Sequence, residues 1–447
     1  MLSDPIAALG TPPGRSAVAV VRLSGTGAFD VAARVIRRFS AEPFREARLA
    51  TFLGGEGEPI DRGLYLTFKG PGSETGEDVV ELHPHGGLLV PAQLLAALHA
   101  AGARPARPGE FTRRAVLNGK MDLLQAEAVA DLVDATAAAQ GRSALRQLEG
   151  GLSRRLGGLR DRLVELLALL GYEVDFPEED DGPVSRETLG TLAADLRLEV
   201  ERLLATAPLG ERLHDGALVV FAGRPNAGKS SLFNALLGSD RALVTELPGT
   251  TRDTIEAATA VEGWPVRLAD TAGLWDAPGR LDALGVEVSR RYLAAADLVL
   301  LCVEATRDLG DDEEAIVAER PVIVVRTKSD LTGGRADRQT RGEETLVSAV
   351  TGEGLDSLRQ AIAARLFGAG ESYADLEPML TRERHRVALA RAGDELAAAT
   401  PHLAPRGDPV LAAHHVRLAV SALDELIGVV GTEEIFDRIF SRFCVGK

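Results

Sequence analysis

The segment from Gly223 to Ser230 reads GRPNAGKS and is the strongest chemical signal in the 447-residue sequence. It follows the apolar stretch ALVVFA and precedes SLFNALLG, whose apolar spacing is helical. A glycine-rich loop between a strand and a helix lets backbone N–H groups approach phosphate oxygens, and the helix N-terminus adds positive potential. In such a loop Lys229 reaches the β and γ phosphates, and the Ser230 hydroxyl binds Mg²⁺. The segment therefore predicts a nucleoside triphosphate site.

Two later motifs follow apolar strands, one suited to Mg²⁺ and the γ-phosphate and one suited to the base. Asp270 begins DTAG, where a carboxylate holds Mg²⁺ through water and the Gly273 amide faces a γ-phosphate. Asp330 ends TKSD, and its carboxylate can accept two parallel hydrogen bonds from the N1–H and exocyclic amine of guanine, a pair that adenine lacks. Ser348-Ala349 then bring a backbone amide to the guanine oxygen. These motifs, in this order, predict GTP binding.

A switch loop is predicted at residues 249–253, GTTRD. Thr251 is the expected second Mg²⁺ ligand, on a loop that is ordered only when γ-phosphate is present. Small GTPases carry glutamine directly after DTAG to orient the attacking water, whereas this chain has Leu274. Another group must therefore orient the water.

Strands alternating with helices must position these motifs. Between about residues 215 and 370, the strand candidates are ALVVFAG, VRLAD, DLVLLCV, PVIVVR and TLVS. This alternation indicates a mostly parallel, doubly wound sheet.

The flanking regions have a different texture. Leucines recur at three and four residues from Leu145 to Leu170, which predicts one long amphipathic helix, and a similar stripe ends near Val430. The amino-terminal region has strand candidates at 16–23 and 60–68 and reads as α+β. We predict a P-loop α/β domain (215–370) inserted in an all-α helical domain (118–214 and 371–447) and preceded by an α+β domain (1–117).

Composition excludes several classes of protein. The 66 acidic and 50 basic residues leave a net charge of −16, so any nucleic-acid contact must be local rather than by bulk charge. With 45% apolar and 26% charged residues, the chain is expected to be soluble and globular. Only two cysteines, Cys302 and Cys444, and no export signal indicate a reducing cytosol.

The chain closely resembles the MnmE (TrmE) family of tRNA-modification GTPases over essentially its whole length. The matching segments are PPGR at 12–15, ARPGEFTRRA at 106–115, KMDLLQAEAVADLVDA at 120–135, GRPNAGKSSLFNAL at 223–236 and the ending FCVGK. The resemblance implies a cytoplasmic, K⁺-activated GTPase whose amino-terminal domain binds folate and dimerises. It also implies a homodimer that works as a heterotetramer with the flavoprotein MnmG on C5 of the wobble uridine of certain tRNAs, using 5-formyltetrahydrofolate or another one-carbon tetrahydrofolate.

The resemblance also implies site residues. The predicted folate contacts are Arg22, Glu81, Lys120 and Lys447, and the predicted K⁺ ligands are Asn226, Thr245, Leu247 and Thr250. The predicted GTP contacts are Asn226, Ala227, Gly228, Lys229, Ser230, Ser231, Thr245, Glu246, Leu247, Pro248, Gly249, Thr250, Thr251, Asp270, Thr271, Ala272, Gly273, Thr327, Lys328, Asp330, Ser348 and Ala349.

The sequence departs from the family pattern at two positions. Thr327 replaces the usual asparagine, which predicts weaker nucleotide binding while Asp330 preserves the choice of guanine. Asp282 aligns with the glutamate that orients water and is the predicted catalytic carboxylate, with Glu287 and Asp276 as alternatives.

Two questions stay open at this point. Cys444 is either a functional thiol or a buried structural one, whereas a prenylation signal does not fit Gly446 and Lys447. The second function hypothesis is a molecular switch that docks on ribosomes or another assembly and performs no covalent chemistry outside GTP. The tRNA-modifying enzyme is favoured by the presence of Arg22, Lys120 and the ending FCVGK. A pure switch would have no reason to bring these residues into one site.

Overall fold

The computed structural model describes nine stretches of the chain and divides it into two compact units. The first unit is Met1–Ala130 with Leu423–Lys447, and the second is Asp131–Ala422. These cuts differ from the predicted domain boundaries, which stay a prediction. Among the described residues, no helix has the length and apolar character needed to cross a membrane. The described residues are 3–175, 185–239, 255–270, 291–332, 344–368, 376–404, 406–428, 433–441 and 443–446.

Strands and helices are numbered here along the described chain. The strands are β1 (Ile6–Leu9), β2 (Gly14–Val18), β3 (Val21–Ser24), β4 (Arg48–Leu53), β5 (Pro59–Phe68), β6 (Val79–His83), β7 (His85–Gly87), β8 (Arg104–Pro105), β9 (Ala217–Ala222), β10 (Ile255–Val261), β11 (Trp264–Asp270), β12 (Leu298–Glu304), β13 (Val322–Thr327) and β14 (Glu344–Leu346). The helices are α1 (Ala28–Val35), α2 (Leu89–Ala100), α3 (Glu110–Leu117), α4 (Leu123–Asp134), α5 (Ala138–Leu148), α6 (Gly151–Asp175), α7 (Arg186–Leu204), α8 (Ala207–Asp215), α9 (Lys229–Ser239), α10 (Asp311–Glu319), α11 (Leu355–Phe367), α12 (Glu383–Ala399), α13 (Pro409–Ile427) and α14 (Glu433–Phe440).

The first unit is built on a six-stranded sheet in the order β4-β5-β6-β3-β1-β8. Strand β5 buries Tyr65 and Thr67 and exposes Arg62 and Leu64, the period of two that a half-buried strand requires. Helices α1 and α2 cover one face, where their apolar side chains form a core with the inward residues of β3, β4, β5 and β6. The predicted α+β character of this region is confirmed.

The predicted strand at 16–23 is wrong in one respect. The chain makes two strands there, because β2 ends at Val18 and pairs with β7, while β3 begins at Val21 and joins the six-stranded sheet. The run SAVAVVRL contains no turn residue, so its apolar character did not reveal the change of sheet. Strand β2 lies at the surface, and Val18 is 51% exposed.

The last part of the described chain packs within the first unit. Phe436, Phe440 and Phe443 form an apolar cluster with Leu123 and Ala126 of α4. Gly109 precedes α3 with a φ of 64°, and a Cβ at this position would lie 3.0 Å from the Cβ atoms of Phe440 and Phe443. Glycine is therefore required there by both its backbone conformation and the close approach.

The helical part of the second unit contains the leucine stripe, but not as one helix. Helix α5 ends at Leu148 and α6 begins at Gly151, with Gly150 between them at a φ of 80°. A left-handed glycine terminates a helix, so the predicted continuous helix is wrong, and Leu145 is exposed. The leucines of α6 pack against α7, which in turn packs against α12. The apolar stripe of α6 is therefore buried against a neighbouring helix, as the stability of an amphipathic helix requires.

The α/β part of the second unit has a six-stranded sheet in the order β10-β11-β9-β12-β13-β14. Its neighbours are parallel except for the edge pair β10 and β11. Every residue of β9 is buried, as expected for a central strand covered on both faces. The doubly wound sheet predicted from the sequence is confirmed, whereas β10 was missed.

Candidate functional site

The phosphate loop joins β9 to α9 at the carboxyl end of the central strand. Its backbone takes left-handed conformations at Asn226, with a φ of 63°, and at Gly228, with a φ of 86°. Gly223 lies so close to β12 that a Cβ there would be 2.3 Å from the Cys302 carbonyl oxygen. Lys229 is 5% exposed, and its Nζ donates to the carbonyl oxygens of Gly223 at 3.0 Å and Arg224 at 2.9 Å. Both acceptors are neutral carbonyl oxygens, so these bonds hold the ammonium inside the loop and leave its positive charge available for a phosphate.

Two oxygen groups meet beside the loop. The Ser230 hydroxyl donates to Asp270 Oδ2 at 2.8 Å, and Asp270 is buried at the end of β11. A hydroxyl and a carboxylate are oxygen ligands of the kind that Mg²⁺ prefers, so the pair fits this ion. The structure brings together the two residues whose motifs predicted Mg²⁺ contacts.

Thr327 links the base-binding strand to the phosphate loop. Its hydroxyl donates to the Ala227 carbonyl oxygen at 2.7 Å and lies 3.3 Å from the Val303 carbonyl oxygen. The side chain is buried at the end of β13. Although the family asparagine is absent, a side-chain hydrogen bond to the loop is retained.

Asp330 and Ser348 form the expected base-reading pair. The Ser348 hydroxyl donates to Asp330 Oδ1 at 2.6 Å and accepts from the Thr351 amide at 3.2 Å. The Ser348 amide donates to the Glu353 carbonyl oxygen at 3.0 Å. Because that amide is engaged, Ala349 is the better candidate for reading the guanine oxygen. Lys328 has a φ of 60°, and its ammonium lies 2.5 Å from Glu304 Oε1, where hydrogen bonding lowers the pKa of Glu304.

Several predicted site residues lie outside the described stretches. They are Thr245, Glu246, Leu247, Pro248, Gly249, Thr250, Thr251, Thr271, Ala272, Gly273, Leu274, Asp276, Asp282, Glu287 and Lys447.

A second polar cluster lies on the first unit's sheet. Arg22 of β3 and Glu81 of β6 face each other across the two strands, with Nε and Oε1 3.1 Å apart. Arg22 also pairs with Glu74 at 3.0 Å, and its guanidinium carbon lies 5.7 Å from the centre of the Phe111 ring. His83 Nε2 lies 3.6 Å from Glu81 Oε2.

The loop between β5 and β6 connects this cluster to Lys120. The Lys120 ammonium donates to the Pro71 carbonyl oxygen at 2.8 Å, and the same loop carries Glu74. Glu77 anchors the loop, since it pairs with the buried Arg114 at 3.1 Å and accepts from the Ser24 hydroxyl at 2.9 Å. Three of the four predicted folate residues are thereby described, and one loop contacts both Arg22 and Lys120. No spacing pattern in the sequence marks Glu74 or Glu77, because their contacts join distant segments.

The two cysteines differ sharply. Cys302 is buried in β12, where desolvation raises the pKa of its thiol to about 12, so its assignment to the core is confirmed. Cys444 is exposed, and the interpretation as a buried structural thiol is therefore wrong. The Cys444 carbonyl oxygen accepts from the Gly109 amide at 3.4 Å, and Val445 pairs with Pro108 in an antiparallel bridge.

A charged cluster lies where α8 leads into β9. His214 Nε2 is 3.2 Å from Asp131 and its Nδ1 is 2.7 Å from Asp215. Arg382 also pairs with Asp131, and the Arg267 Nε donates to the Gly216 carbonyl oxygen at 3.1 Å. Desolvation opposes the charged imidazole, but hydrogen bonds to Asp131 and Asp215 outweigh it and raise the pKa of His214 to about 9.

Comparison with known proteins agrees with this geometry. The family description "MnmE helical domain" matches residues 123–444, and "GTP-binding protein TrmE N-terminus" matches residues 5–120. The chain belongs to the MnmE family. MnmE relatives include proteins named tRNA modification GTPase MnmE from Methylorubrum populi, 45% identical over 97% of this chain and 96% of the relative, and from Halorhodospira halophila, 42% identical over 100% and 96%. The MnmE protein of Moorella thermoacetica is 40% identical over the full length of both chains.

Proposed function

We propose that this chain is a GTPase that acts with a flavin-dependent partner, MnmG, in folate-dependent C5 modification of the wobble uridine of certain tRNAs in the cytoplasm. Membership of the MnmE family shows the coarser part, a GTPase in tRNA modification. The observation that carries the GTP assignment is the meeting of four sequence motifs at one edge of the sheet, through the pairs Ser230–Asp270, Thr327–Ala227 and Ser348–Asp330.

Each side chain of this edge has a definite role in the proposal. Lys229 neutralises charge on the β and γ phosphates, and Ser230 and Thr251 are the Mg²⁺ ligands. Bound Mg²⁺ supplies positive charge at the transferring phosphoryl group.

Asp282 orients the attacking water, since Leu274 cannot do so. Asp282→Ala should then lower kcat roughly 10²-fold and leave GTP affinity nearly unchanged, as expected of a group that acts in the transition state. A fully active variant moves the role to Glu287 or Asp276.

K⁺ is the proposed activating cation. The oxygen of the Asn226 side chain and oxygens of Thr245, Leu247 and Thr250 are its ligands, a donor set suited to a hard cation. The positive charge that a bound K⁺ supplies replaces that of an arginine finger.

The folate site is proposed at the cluster of Arg22, Glu81, Lys120 and Lys447. A pterin presents a donor-rich edge that suits the Glu81 carboxylate, whereas a glutamate tail requires cations. The residues fit such a ligand, because the cluster combines the carboxylates of Glu74 and Glu81 with the Arg22 guanidinium. The exposed Cys444 thiol, next in the chain to the bridge at Val445, is compatible with a chemical role nearby.

The proposed homodimer uses the amino-terminal unit. Leu88 and Leu89 are 73% and 68% exposed and directly follow β7, whose partner strand ends at the exposed Val18. Adjacent exposed apolar side chains of this size are typical of an interface. The heterotetramer with MnmG then contains two copies of this chain.

The decisive test is mass spectrometry of wobble uridines in tRNA from a deletion strain complemented with this chain. Restored C5 modification by wild type, and none by Lys229→Ala, supports the proposal. Unmodified tRNA in the wild-type complement favours the switch hypothesis.

The folate part has its own test. Calorimetry with 5-formyltetrahydrofolate should show binding to the full chain and reduced affinity for Glu81→Ala and for a chain ending at Phe443. Undetectable binding to the full chain removes the folate site. Normal folate binding with loss of tRNA modification in Cys444→Ser assigns chemistry to the thiol.

A further inference from the structure

A basic segment follows α1 in the first unit. Residues 34–48 contain five arginines and two glutamates, a net charge of +3 in a chain whose net charge is −16. We call these five arginines the basic loop surface: Arg34, Arg37, Arg38, Arg45 and Arg48. The first four are exposed and Arg48 is partly buried.

The charges of this surface are not neutralised by acids. Among the described residues, none of the five arginines forms an ion pair with a carboxylate, and the side chains of three of them donate to backbone carbonyl oxygens instead. Arg34 donates to the carbonyl oxygen of Ala101 at 2.9 Å, Arg45 to that of Gly72 at 2.6 Å, and Arg48 to that of Glu42 at 2.7 Å. By contrast, Arg22 and Arg114 in the same unit face carboxylates. A carbonyl fixes a guanidinium without cancelling its charge, so the surface keeps a positive potential.

The segment rests on a firm base. Backbone amides of Arg37 and Arg45 donate to Thr51 of β4 at 3.0 Å and to Thr67 of β5 at 2.8 Å. Beneath them four aromatic rings pack together, with Phe39 and Tyr65 centred 5.6 Å apart and Arg48 5.0 Å above the Tyr65 ring. The rings are those of Phe29, Phe39, Phe44 and Tyr65.

A sixth arginine lies on the sheet itself. Arg62 is exposed on β5 and stands opposite Thr51 in the strand register. It likewise forms no ion pair within the described part of the chain. Arg62 and Tyr65 are an odd number of residues apart on β5, so Arg62 lies on the sheet face opposite the aromatic rings and is not part of the basic loop surface.

We propose that the basic loop surface binds the phosphate backbone of tRNA, and this inference rests on the proposed function. Guanidinium groups match phosphate oxygens in charge and geometry. The net charge of −16 opposes approach to an extended anionic membrane, whereas an RNA strand meets only the local charge.

The test is fluorescence anisotropy of unmodified tRNA transcript with the full chain over a series of KCl concentrations. Substitution of Arg37→Glu, Arg38→Glu and Arg45→Glu together should raise Kd at least about tenfold in 0.1 M salt. The slope of log affinity against log salt should fall by about 2 to 3, close to one per lost phosphate contact. The milder pair Arg37→Gln and Arg38→Gln keeps the Arg45 bond to Gly72 and should show the same direction of change.

A matched control carries the same change of charge on exposed helix positions, with Arg197→Glu, Arg202→Glu and Arg417→Glu. The control should bind tRNA within about twofold of wild type, because it changes the net charge equally but leaves the basic loop surface intact. An equal loss in the control, or unchanged affinity in the loop variants, overturns the proposal. Loss of binding to phosphatidylserine vesicles with tRNA binding intact identifies a membrane surface instead.

Wobble-uridine modification separates this proposal from the proposed function. If wild type restores modification and the loop variants bind tRNA normally, only the basic loop surface is refuted. If wild type fails to restore modification, the proposed function fails whatever the variants bind. An unfolding temperature equal to that of wild type, measured for each variant, shows that a loss of tRNA affinity comes from lost contacts and not from misfolding.

Discussion

The Thr327 hydroxyl and the Ala227 carbonyl oxygen are 2.7 Å apart, and this bond joins the end of β13 to the phosphate loop. A threonine has one O–H donor, so this bond occupies the donor of the side chain. The hydroxyl therefore holds the loop at the expense of a direct donor to the base.

Thr327→Val should weaken guanine nucleotide binding roughly tenfold, because a buried carbonyl loses its partner and the loop is less well preorganised. Thr327→Ser keeps the hydroxyl and is the matched control. Dissociation of a fluorescent GDP analogue measures the effect. Equal dissociation rates for Thr327→Val and wild type would show that the bond does not support the site.

Asp330→Asn should change base preference from guanosine to xanthosine triphosphate, since one acceptor becomes a donor that faces the guanine donors. Xanthine presents an acceptor at that position. Ser348→Ala should weaken binding of GTP without reversing the preference, because it removes only the hydroxyl that donates to Asp330. Competition binding with both nucleotides decides, and a persistent preference of Asp330→Asn for GTP would refute the base pocket.

GTP turnover should be faster in K⁺ than in Na⁺ and should rise with protein concentration, as expected if paired GTPase domains close around the cation. Asn226→Ala should abolish the difference, but alanine also strains a backbone at a φ of 63°. Asn226→Gly removes the same amide and tolerates that conformation. Both variants must lose K⁺ stimulation, and its survival in Asn226→Gly would contradict the assignment.

His214 should make stability depend on pH. Because its pKa is raised to about 9 from an ordinary value of 6.5, the stabilisation is fully present below pH 6.5 and is lost as pH rises through 9. The stabilisation is on the order of 3 kcal/mol. Urea unfolding of wild type and His214→Gln should differ most at pH 6 and converge near pH 10. A gap that stays constant with pH would mean that the charge of His214 contributes nothing.

The strands and helices around the proposed nucleotide site could be predicted because each of its motifs is local in the sequence. Gly223 to Ser230 needs only a strand before it and a helix after it, and β9 and α9 supply both. Contacts between distant segments were not predictable in the same way. Glu74 reaches Arg22 across 52 positions of sequence, and His214 reaches Asp131 across 83, with no periodicity to mark either pair.

Errors in the predicted elements have a common cause. Apolar residues continue through Gly150 and through the change of sheet between Val18 and Val21, although Leu145 and Val18 beside these breaks are exposed. Apolar spacing does not show where the backbone turns. The paired glycines at 150 and 151 were the available signal for the first break.

The backbone bond between Gly109 and Cys444 joins positions that are 335 residues apart in the sequence. At 5 to 20 residues per second, a ribosome takes roughly 15 to 70 s to add the intervening chain. Pro108 is therefore synthesised that long before Val445, the residue with which it forms an antiparallel bridge. The bridge between Pro108 and Val445 can form only after almost the whole chain has been synthesised.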